Sequence, residues 1–283
     1  MINLFYAYIL SDLYVQKIGL IFLLYLEGLI LNFLCFRFKI LNKKTALPTV
    51  LFSLFSAFFI VNLSLEITIY GAIFLSAFYL SFRAKEIPNY AKIHLIYLGF
   101  ILGISQAFYN QSILFFIPII ILFIQVGIFN VRGFLMSLVN LGMVIVSAIG
   151  IFFLLDNPDK VTAMIPNLSS TSHPSRIVLL KITSPIILFS ILFHLLKLNS
   201  YSFRFPNLSK NINYIFLGQL VLGLMTALIF SNQDLIIYAS MALSILLSFT
   251  FVYLEKNIFT NALFFALIVV ITTSLYVCRI IFL

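Results

Sequence analysis

The run Ile18–Phe36, IGLIFLLYLEGLILNFLCF, carries a single charge, Glu27, and no other stretch restricts the fold so strongly. An α-helix needs about 20 consecutive apolar residues to cross roughly 30 Å of hydrocarbon, and this run supplies that length. Because lipid offers no water to an unpaired backbone amide, the crossing segment must be helical. Behind it stand Arg37, Lys39, Lys43 and Lys44, with no acid among them. Lys and Arg beside the end of a span are held back on the cytoplasmic side, so this end faces the cytosol and every later helix inherits its direction from it.

The remainder of the chain repeats the theme. Of 283 residues, 63% are hydrophobic and 9% charged, and the mean hydropathy is +1.17, whereas soluble domains are about 25% charged. A soluble core cannot absorb that much apolar surface, and a bilayer can. The expectation is an all-α fold, a polytopic transmembrane helical bundle that occupies residues 1–283 as a single integral-membrane domain. The net charge of +9 does not mark a nucleic-acid binder. Its cations stand singly or in small groups just outside apolar runs, where the orientation rule and anionic lipid head groups account for them. Membrane lipids are therefore the expected partners, with a lipid-linked substrate or other membrane subunits as candidates, and no nucleic acid. Cys35 and Cys278 fall at opposite membrane faces on this layout, too far apart to bridge, and read as apolar filling.

Residues 1–16 hold too short an apolar run to cross and read as an interfacial helix with no small-residue cleavage site. Apolar stretches follow at Ala46–Leu63, Ile67–Phe82, Ala91–Tyr109, Ile113–Phe129, Phe134–Leu155, Ile177–Leu196, Ile212–Ser231, Leu235–Leu254 and Ile258–Val277. With Ile18–Phe36 the stretches number ten; Ile67–Phe82 is short for a span, and the expectation is about nine spans, with eight to ten open. The cations sort with it: Arg37, Lys39, Lys43, Lys44, Arg83, Lys85, Lys92, Arg132, Lys197, Arg204, Lys210 and Lys256 fall on the cytoplasmic side. Lys17, Lys160, Arg176, Lys181 and Arg279 fall outside, as do Asp12, Glu66, Asp156, Asp159 and Asp234. Asp156–Arg176, DNPDKVTAMIPNLSSTSHPSR, is the long polar loop and is expected to be extracytoplasmic. Neither a repeat nor an inverted symmetry between halves is visible, which argues against a repeat-built transporter.

From Leu31 to Leu80 the order is a helix end, a basic turn with Lys43 and Lys44, the helix LFSLFSAFF, the turn NLSLEIT and the helix FLSAFYLSFR. From Gln106 to Asp156 it is the turn SQAFYNQSILFF, a helix, Val131, Arg132 and Gly133, then a helix ending LLDN. In these two regions the chain resembles an uncharacterised multi-pass membrane family of Bacteroidota, catalogued as a domain of unknown function. The resemblance implies an inner-membrane protein of a Gram-negative cell and supplies neither an activity nor catalytic residues. An AT-rich bacterial genome is also the reading of a composition with 33 Phe and no Trp.

Two places could carry chemistry. Glu27 lies near mid-depth, where an ionised carboxylate is costly; it must take up a proton or find a partner on a facing helix. Candidate partners are the amides of Gln106, Gln125, Asn140 and Gln219, with Asn32 more than a turn further along the same helix. A proton relay or substrate contact is one reading of Glu27, and a structural acid hydrogen-bonded between helices is the other. The second place is the outer loop and its borders. Lys160, Arg176 and Lys181 could hold the phosphates of a lipid-linked substrate, and Asp156, Asp159 or His173 could serve as catalytic groups. The competing reading is a solvated loop anchored by its charges. His94 and His194 lack a second ligand at metal-binding spacing, so neither a metal site nor a cofactor is expected. Gly99 and Gly103 form a GxxxG pair, and Ser240, Ser244 and Ser248 recur every four residues; both read as helix-packing stripes. Pro118 and Pro185 are expected to kink their spans.

Three functions remain compatible with these residues. The leading one is a cell-envelope component that binds or moves a lipid-linked or amphipathic anionic molecule. The alternatives are a membrane glycosyltransferase or polymerase acting on polyprenyl-linked sugars, and a structural subunit of a larger membrane assembly.

Overall fold

The structure, a computed structural model, describes residues 2–41, 45–56, 65–109, 111–164, 207–229 and 236–253, with isolated helical positions between 188 and 195 and between 261 and 273. The described residues are helical, without a strand. In order they form α1 (Ile2–Arg37), α2 (Leu47–Ser56), α3 (Leu65–Glu86), a 3₁₀ turn (Pro88–Tyr90) and α4 (Ala91–Phe108). A second 3₁₀ turn (Ser112–Phe115), α5 (Phe116–Val126), α6 (Val131–Leu154), α7 (Pro158–Ala163), α8 (Asn207–Ile229) and α9 (Ile236–Tyr253) complete them. Four stretches are long and apolar enough to cross a membrane: Lys17–Arg37, Leu65–Glu86, Pro88–Phe108 and Val131–Leu154. Leu47–Ser56, Ser112–Val126, Asn211–Ala227 and Ile236–Val252 are shorter apolar helices. The expected stretches at 177–196 and 258–277 lie largely outside the described residues, as does the second half of 46–63.

Several boundaries differ from the sequence expectation, each for a local reason. The stretch expected over Ile67–Phe82 is a helix of 22 residues, because Leu65, Glu66 and Arg83–Glu86 continue it beyond the apolar run. Helix α1 passes without a break through Ser11, Asp12 and Lys17, so residues 2–16 are continuous with the span that follows. Pro118, expected to kink its span, stands in the first turn of α5, right after the 3₁₀ turn, a position where proline is tolerated. Helix α5 stops at Val126, short of the expected Phe129, because Gly127 turns left-handed at φ 80°.

That stop belongs to a pattern shared by three helix ends. After α5, Gly127 N–H donates to Ile124 O (3.0 Å) and Ile128 N–H to Phe123 O (3.1 Å). After α1 the left-handed residue is Lys39 (φ 53°), with Lys39 N–H donating to Phe36 O (3.1 Å) and Ile40 N–H to Cys35 O (2.9 Å). After α6 it is Asp156 (φ 55°), with Asp156 N–H donating to Phe153 O (3.1 Å) and Asn157 N–H to Phe152 O (3.0 Å). Each pair of bonds is a Schellman closure that satisfies carbonyls the helix cannot reach itself.

The chain forms two compact units: Met1–Gly71 with His173–Phe205 and Ser244–Leu283, and Ala72–Ser172 with Pro206–Leu243. Their segments alternate along the sequence, and for that reason no linker or shift of composition announces them. In the first unit, α1 and α2 pack through a buried stripe on α1: Leu24, Glu27, Gly28, Leu31, Leu34 and Cys35. The spacing is that of one helical face. Gly28 allows the close approach, since a Cβ there would lie 3.2 Å from Phe52 Cδ1 and 3.4 Å from Thr49 Cγ2. The Thr49 hydroxyl donates to the Gly28 carbonyl at 3.0 Å, the kind of interhelical bond that helps associate helices in lipid.

In the second unit α4 and α6 run parallel, and their seam is built from small residues. Gly133 lies against Leu95, Gly99 against Ser137, and Gly103 against Leu141 and Val144. The packing expected of the GxxxG pair is thus what Gly99 and Gly103 do. Asn140 Nδ2 donates to Ile96 O (3.0 Å) across the seam. The same unit holds an aromatic cluster: Tyr238 meets Phe74 edge-on at 4.7 Å, and Phe78 meets Phe82 at 4.9 Å and Phe216 at 5.3 Å, also edge-on. Phe74, Phe78 and Phe82 are four residues apart and so share one face of α3. The serine stripe of α9 is buried, with Ser240 bonding Ile237 O (2.7 Å) and Ser248 bonding Ser244 O (2.6 Å) inside their own helix.

Candidate functional site

Glu27 is 6% exposed, on the α1 stripe that packs against α2. Residues one helical turn on either side of it, Leu24 and Leu31, are apolar and buried, so its position follows from the face it shares with them. Its neighbour Gly28 uses its carbonyl to accept from Thr49. The Glu27 Oε2 atom is buried and has no hydrogen-bond partner among the described residues. Buried polar atoms are normally satisfied, and one that is not calls for an account.

The partners that the sequence suggested are engaged elsewhere, and this corrects that expectation. Gln106 Nε2 donates to Met164 O (2.7 Å) while its Oε1 accepts from Ile113 N–H (2.8 Å), which pins both the turn after α4 and the end of α7. Asn140 serves the α4–α6 seam. Gln219 Nε2 donates to Gln125 Oε1 (3.0 Å), and the Tyr238 hydroxyl donates to Gln219 Oε1 (2.6 Å). These form a polar chain across α5, α8 and α9 within the second unit. Tyr238 escaped the sequence reading, because a tyrosine in an apolar helix gives no sign of a buried hydroxyl. The amides satisfy one another because an unpaired one in an apolar interior costs several kcal/mol (roughly 2–7 by transfer measurements).

The residues after α6 are placed in part. Asp156, Asp159 and Lys160 are exposed. Asp156 occupies the left-handed position that ends α6. Asp159 sits in the first turn of α7, where a negative charge suits the helix dipole. Lys160 Nζ lies 5.6 Å from the centre of the Phe152 ring, a cation–π distance. His173, Arg176 and Lys181 lie outside the described residues. Among the described residues no group of three His, Cys, Asp or Glu side chains could hold a metal. His94 Nδ1 is buried without a hydrogen-bond partner among the described residues.

Fold and site together define an all-α protein with four helices long and apolar enough to cross a membrane, the first of which carries a buried acid with no hydrogen-bond partner for Oε2 among the described residues. No family model, curated protein or solved structure matches the chain.

Proposed function

We propose that this protein is a cell-envelope component of a bacterial inner membrane, of about nine spans, that binds or moves a lipid-linked or amphipathic anionic molecule. The observation that carries the proposal is the Glu27 carboxyl. It is buried on a packed helix face, one oxygen has no partner among the described residues, and all four amides able to tie it down are bonded elsewhere. A structural acid would be hydrogen-bonded between helices; among the described residues the Oε2 of this one is not, which leaves it able to accept a proton or a donor group of a polar substrate. In the proposed topology Lys160, Arg176 and Lys181 stand at the outer rim and would hold the anionic head group.

The alternative, a glycosyl transferase or polymerase, would use Asp156, Asp159 or His173, of which Asp156 and Asp159 are exposed. The test uses Glu27→Gln and Arg176→Ala in the native host, with protein level checked by immunoblot. Both variants are expected to impair envelope integrity, read as sensitivity to detergent, at wild-type abundance. An unaltered envelope in both removes the proposal.

A further inference from the structure

Because α4 and α6 run parallel, their first turns lie at one end of the second unit, together with the end of α3 and the end of α5. There they enclose an open cleft of about 590 Å³ whose polar wall is Lys85, Asn89, Lys92 and Asn130. Gly133 lets α6 approach the α4 backbone so closely that a Cβ there would lie 3.3 Å from Lys92 Cα. Arg132, one residue earlier, is thereby brought to the same end. Arg132, which does not line that cleft, heads a second groove of about 380 Å³, floored by Ile96, Leu135, Val139 and Met143. From Arg132 to Met143 that groove follows α6 for about 16 Å, at 1.5 Å per residue.

The charges of this end do not balance. Glu86 is paired with Arg83 at 2.7 Å, and Lys85, Lys92 and Arg132 have no ion-pair partner among the described residues. Cations gathered around a concave site raise its affinity for an anion. Basic pockets between helices on the cytoplasmic side, where the charge rule places this end, suit the head groups of anionic lipids. The neighbouring groove decides between sources of the anion. A free phosphate would use the cations and leave an apolar trough empty, whereas a phospholipid fills both.

We propose that Lys85, Lys92 and Arg132 bind the phosphate of an anionic phospholipid, one acyl chain of which lies along the groove from Leu135 to Met143. The site involves neither Glu27 nor the segment after α6, and it stands whether or not the function proposed above is correct.

The full-length protein, stripped of lipid in neutral detergent, is titrated with phosphatidylglycerol, phosphatidylcholine and inorganic phosphate, and bound lipid is counted by native mass spectrometry. Phosphatidylglycerol is expected to bind in preference to phosphatidylcholine and to resist displacement by an equal concentration of inorganic phosphate. Lys85→Gln, Lys92→Gln and Arg132→Gln should each weaken it about fivefold, and the triple variant on the order of a hundredfold, from the known worth of a cation near an anionic head group. Lys17→Gln, at the far end of the topology, should leave binding unchanged. Circular dichroism verifies folding, and the single variants carry the test if the triple variant loses helicity. Equal binding of the two lipids, undiminished binding in the variants, or displacement by inorganic phosphate overturns the proposal.

Discussion

Replacing Gly99 by Ala tests the account of the α4–α6 seam most directly. The new methyl would press into the Ser137 carbonyl oxygen and lie 2.7 Å from Ser137 Oγ and 3.0 Å from Ser137 C. Two of these three atoms are backbone, so no side-chain rotation relieves the clash, and α6 must move. A relaxed carbon–oxygen contact needs about 3.3–3.6 Å, which for the Ser137 carbonyl oxygen sets the movement at roughly 1 Å or slightly more. Asn140 Nδ2 now lies 3.0 Å from Ile96 O, and a shift of that size stretches the bond toward or past the limit of a useful hydrogen bond. Overpacking of this kind costs about 1–3 kcal/mol, and a lost interhelical bond in a membrane protein adds about 0.6 kcal/mol. The better helix propensity of Ala returns up to about 1 kcal/mol. The net loss is about 1–2.5 kcal/mol.

The internal control is Gly150→Ala on α6, where nothing lies within 4 Å of the added methyl and only the propensity gain remains. Unfolding of the purified protein in mixed detergent, followed by circular dichroism, should rank Gly150→Ala at or above the wild type and Gly99→Ala clearly below it. If the two variants are equally stable, the close approach of α4 to α6 is wrong, and with it the placement of Arg132 beside Lys92.

Asp156→Gly is expected to stabilise the protein by up to about 1 kcal/mol in the same assay, since glycine adopts the left-handed conformation without the penalty of a Cβ. A loss of stability or of envelope function on that change would instead reveal a task for the carboxylate. Orientation is tested with a reporter active only beyond the inner membrane: inserted within residues 156–176 it should be active, and after Lys43 silent. The reverse result inverts the topology and moves Lys85, Lys92 and Arg132 to the outer face.

The helical class was legible in the amino-acid order because it depends on sums along the chain. A run such as Ile18–Phe36 excludes water from its backbone wherever it is placed in lipid, and that alone demands a helix. The cation-bearing turns could be read for the same reason, since each acts on its own span and needs no neighbour. With α4 and α6 parallel, Lys85, Lys92 and Arg132 come to one end of the second unit, a placement that no single turn could reveal.

Which side of each helix meets which neighbour was decided only in three dimensions. In a helix that is apolar all round, as α9 is, hydropathy has no stripe to follow, and rotation is set by where a small residue admits a neighbour and where a polar atom finds its match. Gly28 beside Thr49 fixes the face on which Glu27 is buried. Gln125, Gln219 and Tyr238 satisfy each other across three helices, while Glu27 Oε2 finds no partner among the described residues. Asp156, an acid that reads as chemistry in one dimension, closes a helix in three, because a left-handed turn there completes two backbone hydrogen bonds that no property of its carboxylate foretells.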